Sequence, residues 1–296
     1  MIDIDNNTKI IDQDSEYFPI GLFNLLDCPV RIYALGNESL LKNMSVAIVG
    51  TRSCSDFGKS VAKNFSNKIS EHGITIISGM ADGIDEAAHL GALERGNTIA
   101  VVAGGFKEIL KGNKLKRAIN ILEHNGLIIS EYHPDYIVRK GMFLQRNRLI
   151  AAIASATIII EAPLESGAIN TAYHALRLNR PLYAVPWSLN YSKGEGCNTL
   201  FYEGAKPLID INKVLIDLKI ITTQTELDLS LIKSTNSKVP DEYLKYYDYI
   251  KNNAPCQLES IVEFFREDFI GNIISTLTYM ELNNYIKQSD KGYYIK

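Results

Sequence analysis

The chain has 296 residues, 46% of them hydrophobic, and a formal net charge of −3. This length predicts about two domains, and the hydrophobic content is enough for a large buried core, so we expect a globular protein. The four cysteines have no paired spacing, which excludes a disulfide framework and a cysteine zinc site. Because there is no signal peptide and no apolar run of the ~18 residues that a membrane span needs, we expect a soluble, cytoplasmic protein.

Charge is unevenly distributed along the sequence. Residues 1–40 carry a net charge of −5, residues 41–239 carry +5, and residues 240–296 carry −3. If the protein binds a polyanion, the central part of the chain is therefore the expected binding region.

The N-terminal 40 residues are predicted to be an acidic tail and a lead-in segment. Residues 1–16 are polar and acidic without an apolar period, which predicts disorder. Residues 17–41 contain short apolar patches broken by proline and glycine. We expect this lead-in to pack on the main domain and not to fold by itself.

Strands and helices are predicted to alternate over residues 41–219. The apolar run 46–49 predicts a strand buried on both faces, and apolar spacing predicts a helix from about residue 57 to 71. Alternation of this kind predicts a mainly parallel α/β sheet with helices on both faces. The predicted strands are 46–49, 74–78, 98–102, 127–130, 157–161 and 182–185, with a possible seventh at 207–209.

Glycine-containing loops follow the first two of these strands. Gly50, Thr51 and Arg52 follow the first, and residues 79–83 follow the second, with Asp82 expected to cap the next helix. Backbone N–H groups and helix N-termini at this sheet edge bind anions. An NAD site is disfavoured because Arg52 occupies the second glycine position of the dinucleotide fingerprint. An ordinary tight turn with a surface arginine is the alternative.

Residues 139–148 combine four cations with one aromatic ring. Phosphate-neutralising cations beside a ring that stacks on a base are typical of single-stranded nucleic-acid sites, so Phe143 is a candidate platform. A core phenylalanine is the alternative. Arg146 and Arg148 cannot share one helix face at this spacing, so one is expected to bind and the other to support the fold.

Other polar features leave further alternatives open. Ser166 and Gly167 stand where another anion-binding loop would meet a helix, although a plain helix cap would look the same. Glu161 and Glu165 could form an acid/base pair. The five histidines show no metal-ligand spacing.

The basic run from Lys107 to Arg117 is as typical of a solvated helix face as of a binding site. Its members are Lys107, Lys111, Lys114, Lys116 and Arg117.

The C-terminal part has a different pattern. Residues 220–240 are rich in Thr and Ser and predict a linker. Residues 241–296 predict three helices and a terminal hairpin, a winged-helix-like domain. Because the third helix, 269–281, has no Lys or Arg, we expect it to bind a partner or pack, not to read a DNA groove.

A set of short motifs occurs in order over about residues 17–210. The motifs are Ala47–Arg52, Ile77–Asp85, Ala88-His89, Gly91–Leu93, Ser130–Tyr132, Phe143, Arg146–Arg148, Glu161, Ser166-Gly167, Thr171-Ala172, Gly196–Asn198 and Gly204-Ala205. Each motif is weak alone, but the ordered set is specific. With this set the chain resembles the DprA/Smf family of DNA-processing proteins.

The resemblance implies an extended Rossmann-like domain that binds single-stranded DNA without catalysis, cofactor or metal. It also implies a homodimer and a contact with the RecA recombinase, which such proteins load onto DNA in homologous recombination and natural transformation. Carried onto this sequence, the DNA-binding residues would be Gly50, Thr51, Arg52, Ser78, Gly79, Lys140, Phe143, Arg146, Asn147, Ser166 and Gly167.

The sequence departs from the family pattern at several positions. A Tyr-Pro pair is missing after Gly105, Leu144 replaces a proline, and Trp187 replaces a glycine. Two alternatives are a nucleoside-monophosphate phosphoribohydrolase, which has a similar fold and similar glycine loops, and a nucleotide-sensing module that signals through its C-terminal unit.

Overall fold

The computed structural model describes residues 2–221, 239–240, 243–266, 268, 270–282, 285–289 and 291–295. The chain divides into two compact units, Met1–Thr222 and Thr223–Lys296. Most of the predicted linker lies outside the described residues. No helix in the described ranges is long and apolar enough to span a bilayer.

A nine-stranded sheet forms the centre of the first unit. Its strands are β1 (Lys9–Asp12), β2 (Arg31–Gly36), β3 (Ser45–Val49), β4 (Thr75–Ser78), β5 (Thr98–Val101), β6 (Leu127–Ser130), β7 (Ala156–Ile159), β8 (Leu182–Ala184) and β9 (Lys206–Pro207). Their spatial order is β1-β2-β6-β5-β4-β3-β7-β8-β9. Strands β3 to β9 pair in parallel, whereas β1 and β2 are antiparallel additions at one edge.

The chain runs outward from β3 through β4 and β5 to β6, and then returns to the other side of β3 with β7. The strand order therefore reverses between β3 and β7. In open parallel sheets, loops on either side of such a reversal diverge and leave a crevice at the carboxyl ends of the strands. This topology is Rossmann-like, as the sequence predicts.

Helices cover both faces of the sheet because its strands are apolar on both sides. Within β3, Val46 and Ile48 belong to one core cluster, whereas Ala47 and Val49 belong to another. The helices of this unit are α1 (Ile4–Asn7), α2 (Asp56–Ser70), α3 (Ile84–Leu93), α4 (Phe106–Ile109), α5 (Gly112–Glu123), α6 (Met142–Ile153), α7 (Gly167–Arg177), α8 (Glu195–Leu200) and α9 (Asn212–Asp217).

The prediction of a disordered N-terminal tail is wrong for residues 4–12, which form α1 and β1. Strand β1 pairs with β2, and β2 pairs with β6, so the lead-in completes the sheet. The sequence did not predict this strand because β1 lies in an acidic segment and shows no apolar period. Only Ile11 of β1 is buried. The possible seventh strand, predicted at 207–209, is the two-residue β9, which begins one residue earlier and shares only Pro207 with the prediction.

The second unit contains α10 (Leu244–Asn253), α11 (Leu258–Phe264), α12 (Ile270–Leu282) and a hairpin of β10 (Ile286–Ser289) with β11 (Gly292–Ile295). Its own small core includes Tyr246, Ile250, Ile261 and Leu277. The winged-helix-like classification of this unit and the proposed domain boundaries stay predictions.

Candidate functional site

A cavity of about 510 Å³ lies beyond the carboxyl ends of β3, β4 and β7, at the reversal of strand order. Loops after these strands and one side of α6 form its walls. The lining residues are Val49, Gly50, Thr51, Arg52, Ala81, Asp85, Lys140, Phe143, Leu144, Arg146, Asn147, Ile150, Pro163, Ser166, Gly167, Ala168 and Thr171.

All of the predicted site residues except Ser78 and Gly79 line this cavity. The Ser78 side chain is fully buried and its hydroxyl donates to the Ile48 carbonyl oxygen at 2.7 Å, so it fastens β4 to β3. Gly79 borders a small adjoining hollow that Phe143 and Arg146 also line. A Cβ at Gly79 would lie 2.3 Å from Arg146 Nη1, so glycine allows this arginine to lie against the backbone.

Arg52 is an exposed cation at the mouth of the cavity, on the loop after β3. Its guanidinium carbon lies 5.6 Å from the centre of the Phe143 ring, within cation–π range. Arg52 forms no ion pair with any carboxylate in the described ranges. Its charge is therefore available to an anion entering the cavity.

The position of Phe143 is compatible with both of the predicted alternatives, a core side chain and a stacking platform. The half-buried ring packs against the core cluster that contains Phe106 and also lines the cavity. Lys114 Nζ lies 5.3 Å from the ring centre, so two cations lie close to the ring. A base that reaches this ring would lie beside groups able to neutralise its phosphate.

Arg146 and Arg148 lie in different environments, as their spacing on α6 requires. The buried Arg146 guanidinium donates to the carbonyl oxygens of Gly79, at 2.5 Å, and of Val101. Burial lowers the pKa of Arg146 to about 10, so it stays charged at neutral pH. Arg148 pairs with Glu131 at 2.5 Å and Asp27 at 2.9 Å and so supports the fold.

Lys114 is the cation near the cavity that sequence reasoning did not single out. Three other members of its basic run are engaged elsewhere: Lys107 pairs with Asp5 and Asp135, Lys111 with Glu108, and Arg117 with Asp82 and Glu86. Helical spacing does not distinguish Lys114 from these residues. Only the packing of α5 beside Phe143 reveals its position.

Burial lowers the pKa of Lys114, and the nearby charges of Arg146 and Arg52 lower it further. We therefore expect affinity for a polyanion to fall as the pH rises through this lowered pKa, because Lys114 loses its proton at a lower pH than an ordinary lysine. The Lys114→Gln variant should bind several-fold more weakly at pH 7 and lose much of this pH dependence. Oligo-dA is a suitable probe, because adenine has no proton to lose in this range. An unchanged pH profile in the variant would contradict this role.

The N-terminus of α7 forms the opposite wall of the cavity. The Ser166 hydroxyl accepts from Ala168 N at 3.2 Å and caps the helix. Open space lies beside Gly167, and Asn147 Nδ2 donates to its carbonyl oxygen at 3.0 Å. The predicted cap is therefore present, and it borders a space large enough for a ligand.

Asp85 lines the cavity, and its carboxyl group is engaged with the backbone. Asp85, whose pKa is raised by burial, accepts from Gly79 N at 3.2 Å and Ala81 N at 3.3 Å. The prediction that Asp82 caps α3 is wrong, because Gly83 occupies the cap position and Asp82 instead pairs with Arg117. Glu161 is fully buried, whereas Glu165 is exposed, so they do not share one environment.

Comparison with known proteins identifies close similarities. The family model for DNA recombination-mediator protein A matches residues 9–219. DNA processing protein DprA of Bacillus subtilis is 34% identical to this chain over 206 residues, which cover 69% of each protein. DNA processing protein DprA of Streptococcus pneumoniae is 37% identical over 204 residues, which cover 68% of this chain and 71% of the relative. The structure of DNA processing protein A from Helicobacter pylori, described with its single-stranded DNA binding mode, superposes with a TM-score of 0.64 at 32% identity, covering 71% of this chain and 95% of that one.

Proposed function

Since the chain belongs to the DNA recombination-mediator protein A family, also called DprA/Smf, we propose that it binds single-stranded DNA without catalysing a reaction on it. The cavity at the strand-order reversal is the proposed binding site. Gly50, Thr51, Arg52, Lys140, Phe143, Arg146, Asn147, Ser166 and Gly167 are its proposed residues, joined by Lys114.

One observation carries this proposal: a half-buried aromatic ring with two cations within 6 Å of its centre lines the same cavity as an accessible helix N-terminus. Single-stranded nucleic acid offers an unpaired base for the ring and phosphates for the cations. In a duplex, the bases are stacked and paired. Duplex DNA could therefore offer its phosphates to Arg52 but no base to Phe143 without prior unpairing.

Further steps of the proposed function follow from family membership. We expect the DNA-bound protein to act as a homodimer in the cytoplasm and to promote loading of RecA during homologous recombination and natural transformation. The charged groups of the cavity have the binding role in this scheme. The acidic C-terminal unit is a candidate surface for a protein partner.

Fluorescence anisotropy of a labelled single-stranded oligonucleotide tests the proposal. We expect tight binding that weakens with salt, and poor competition by duplex of equal length or by free nucleotides. If the oligonucleotide fails to bind while a nucleotide is bound or cleaved, the site serves a small molecule and the proposal is wrong. Loss of such cleavage in Glu161→Gln or Glu165→Gln would then favour the phosphoribohydrolase alternative.

Replacement of Phe143 by leucine should weaken binding of single-stranded DNA without unfolding the protein. Leucine keeps apolar packing against the core but removes the flat ring, and the loss of base stacking costs about 1 to 3 kcal/mol, or about fivefold to 150-fold in Kd. Phe57→Leu is a matched control, because Phe57 is 62% exposed and lies outside the cavity lining. Equal affinities of Phe143→Leu and the unmodified protein would exclude the ring as a stacking platform.

A further inference from the structure

Glu161 is a fully buried carboxylate that forms no ion pair with any cation in the described ranges. It follows β7 and lies close to the loop that carries Arg52 from the neighbouring strand β3. A buried charge is costly unless hydrogen bonds or dipoles compensate it. The partners of this carboxylate therefore indicate what it does in the protein.

Glu161 contacts both ends of the loop formed by residues 51–55. At the start of the loop, Thr51 N donates to the Glu161 main-chain oxygen at 2.7 Å. At its end, Ser55 N donates to Glu161 Oε2 at 3.0 Å and the Ser55 hydroxyl donates to the same oxygen at 2.8 Å. Arg52 lies between these two anchored residues.

The N-terminus of α2 compensates the charge of Glu161. Ser55 is the N-cap of this helix, and its hydroxyl also accepts from Gly58 N at 3.0 Å. The positive end of the helix dipole thus faces the carboxylate. A Cβ at Gly58 would lie 2.1 Å from Glu161 Oε2, so glycine in the first turn leaves the space that the carboxylate occupies.

The loop formed by residues 51–55 also packs closely against Gly83. Gly83, with φ of 81°, leaves room for the carbonyl oxygens of Thr51 and Arg52, which would lie 2.5 Å and 2.6 Å from a Cβ at that position. Thr51 is 7% exposed, whereas the Arg52 side chain projects outward. The backbone under Arg52 is therefore fixed while its guanidinium stays accessible.

We propose that Glu161 is a positioning residue for Arg52: it clamps residues 51–55 from both ends and so holds the Arg52 guanidinium at the mouth of the cavity. This inference rests on the proposed function, because it assigns Glu161 a role in binding the phosphate of single-stranded DNA. It replaces the acid/base role that the sequence allowed. Glu161 acts through Arg52 and does not itself contact the ligand.

A double-mutant cycle tests this role. Glu161→Gln removes the charge and places an amide N–H or a single acceptor against the donors of Ser55, so we expect about a fivefold loss of affinity for a labelled oligo-dT. In the Arg52→Ala background, the same substitution should cause less than a twofold further loss. A general destabilisation would lower affinity equally in both backgrounds.

Tyr191→Phe is the matched control. The Tyr191 hydroxyl donates to Glu161 Oε1 at 2.7 Å, so this variant removes a hydrogen bond from the same carboxylate but leaves the clamp on Ser55. We expect its affinity to stay within twofold of the unmodified protein. Trp187, the single tryptophan of the chain, stacks on Tyr191 at 4.9 Å and reports by its fluorescence whether this region stays folded.

These measurements distinguish failure of the proposed DNA binding from failure of the positioning role of Glu161. If the unmodified protein does not bind the oligonucleotide, the proposed function is wrong. If it binds and Arg52→Ala weakens binding, but Glu161→Gln has no effect or an equal effect in both backgrounds, the positioning role is wrong. If Glu161→Gln does not fold, Ser55→Ala replaces it in the cycle, because it removes the hydroxyl that donates to Glu161, and the same non-additive loss is expected.

Discussion

The Arg52→Ala variant is expected to bind single-stranded DNA about tenfold more weakly than the unmodified protein at moderate salt. Arg52 is exposed at the cavity mouth, has no carboxylate partner in the described ranges, and lies 5.6 Å from the Phe143 ring centre. The substitution removes the proposed phosphate contact without removing a structural ion pair. The effect should therefore appear in binding and not in thermal stability.

Salt dependence gives this prediction a second measurement. A lost phosphate contact lowers the slope of log K against log salt by about 0.7 for a single strand, so the two proteins should converge in affinity at high salt. Lys140→Ala should behave in the same way. Arg95→Ala is the matched control, because Arg95 is an exposed arginine that pairs with Glu71 and lies outside the cavity. Unchanged affinity in both Arg52→Ala and Lys140→Ala would exclude the cavity as the DNA site.

The Arg148→Met variant should lose about 3 to 5 kcal/mol of unfolding free energy at neutral pH. Arg148 and Glu131 have side chains 6% and 9% exposed and pair at 2.5 Å, so methionine leaves a buried carboxylate without its cation. Burial already raises the pKa of Glu131, and removing Arg148 raises it further. The loss of stability should therefore shrink as the pH falls through this raised pKa and the carboxyl takes a proton.

Chemical denaturation at several pH values measures this effect. The double variant Arg148→Met/Glu131→Gln should recover much of the lost stability at neutral pH, because the unpaired charge is gone. Arg95→Met serves as the surface control, with a loss of at most about 1 kcal/mol. If Arg148→Met loses at most about 1 kcal/mol of unfolding free energy as well, with no pH dependence, the structural role that we assign to Arg148 from its contacts is wrong.

The separation of roles between Arg52 and Arg148 has a physical basis in their partners. Arg148 is enclosed by Glu131 and Asp27, which neutralise it, whereas Arg52 meets an aromatic ring and open space. Arg146 is intermediate: it lines the cavity, but its guanidinium donates to two backbone carbonyl groups. We therefore expect Arg146 to shape the cavity more than to bind phosphate.

The sequence by itself determined the central sheet and most of the candidate site. Runs of buried apolar residues located β3 to β8 within a few residues, because strands buried on both faces carry their signal locally. Glycine loops after these strands predicted the edge of the sheet at which the cavity lies, since parallel strands bring their carboxyl ends together. Family motifs then pointed to residues that the structure gathers around one cavity, apart from Ser78 and Gly79.

Only the tertiary structure decided the features that depend on distant partners. Strand β1 has only four residues, of which only Ile11 is buried, and its pairing with β2 depends on a sheet edge that the local sequence does not encode. Lys114 and Lys111 belong to the same basic run, yet only Lys114 is half-buried beside Phe143. Ser78 and Glu161 turned out to fasten neighbouring strands and loops. Burial and hydrogen-bond partners depend on packing between elements far apart in the chain, so they cannot be predicted from residue spacing.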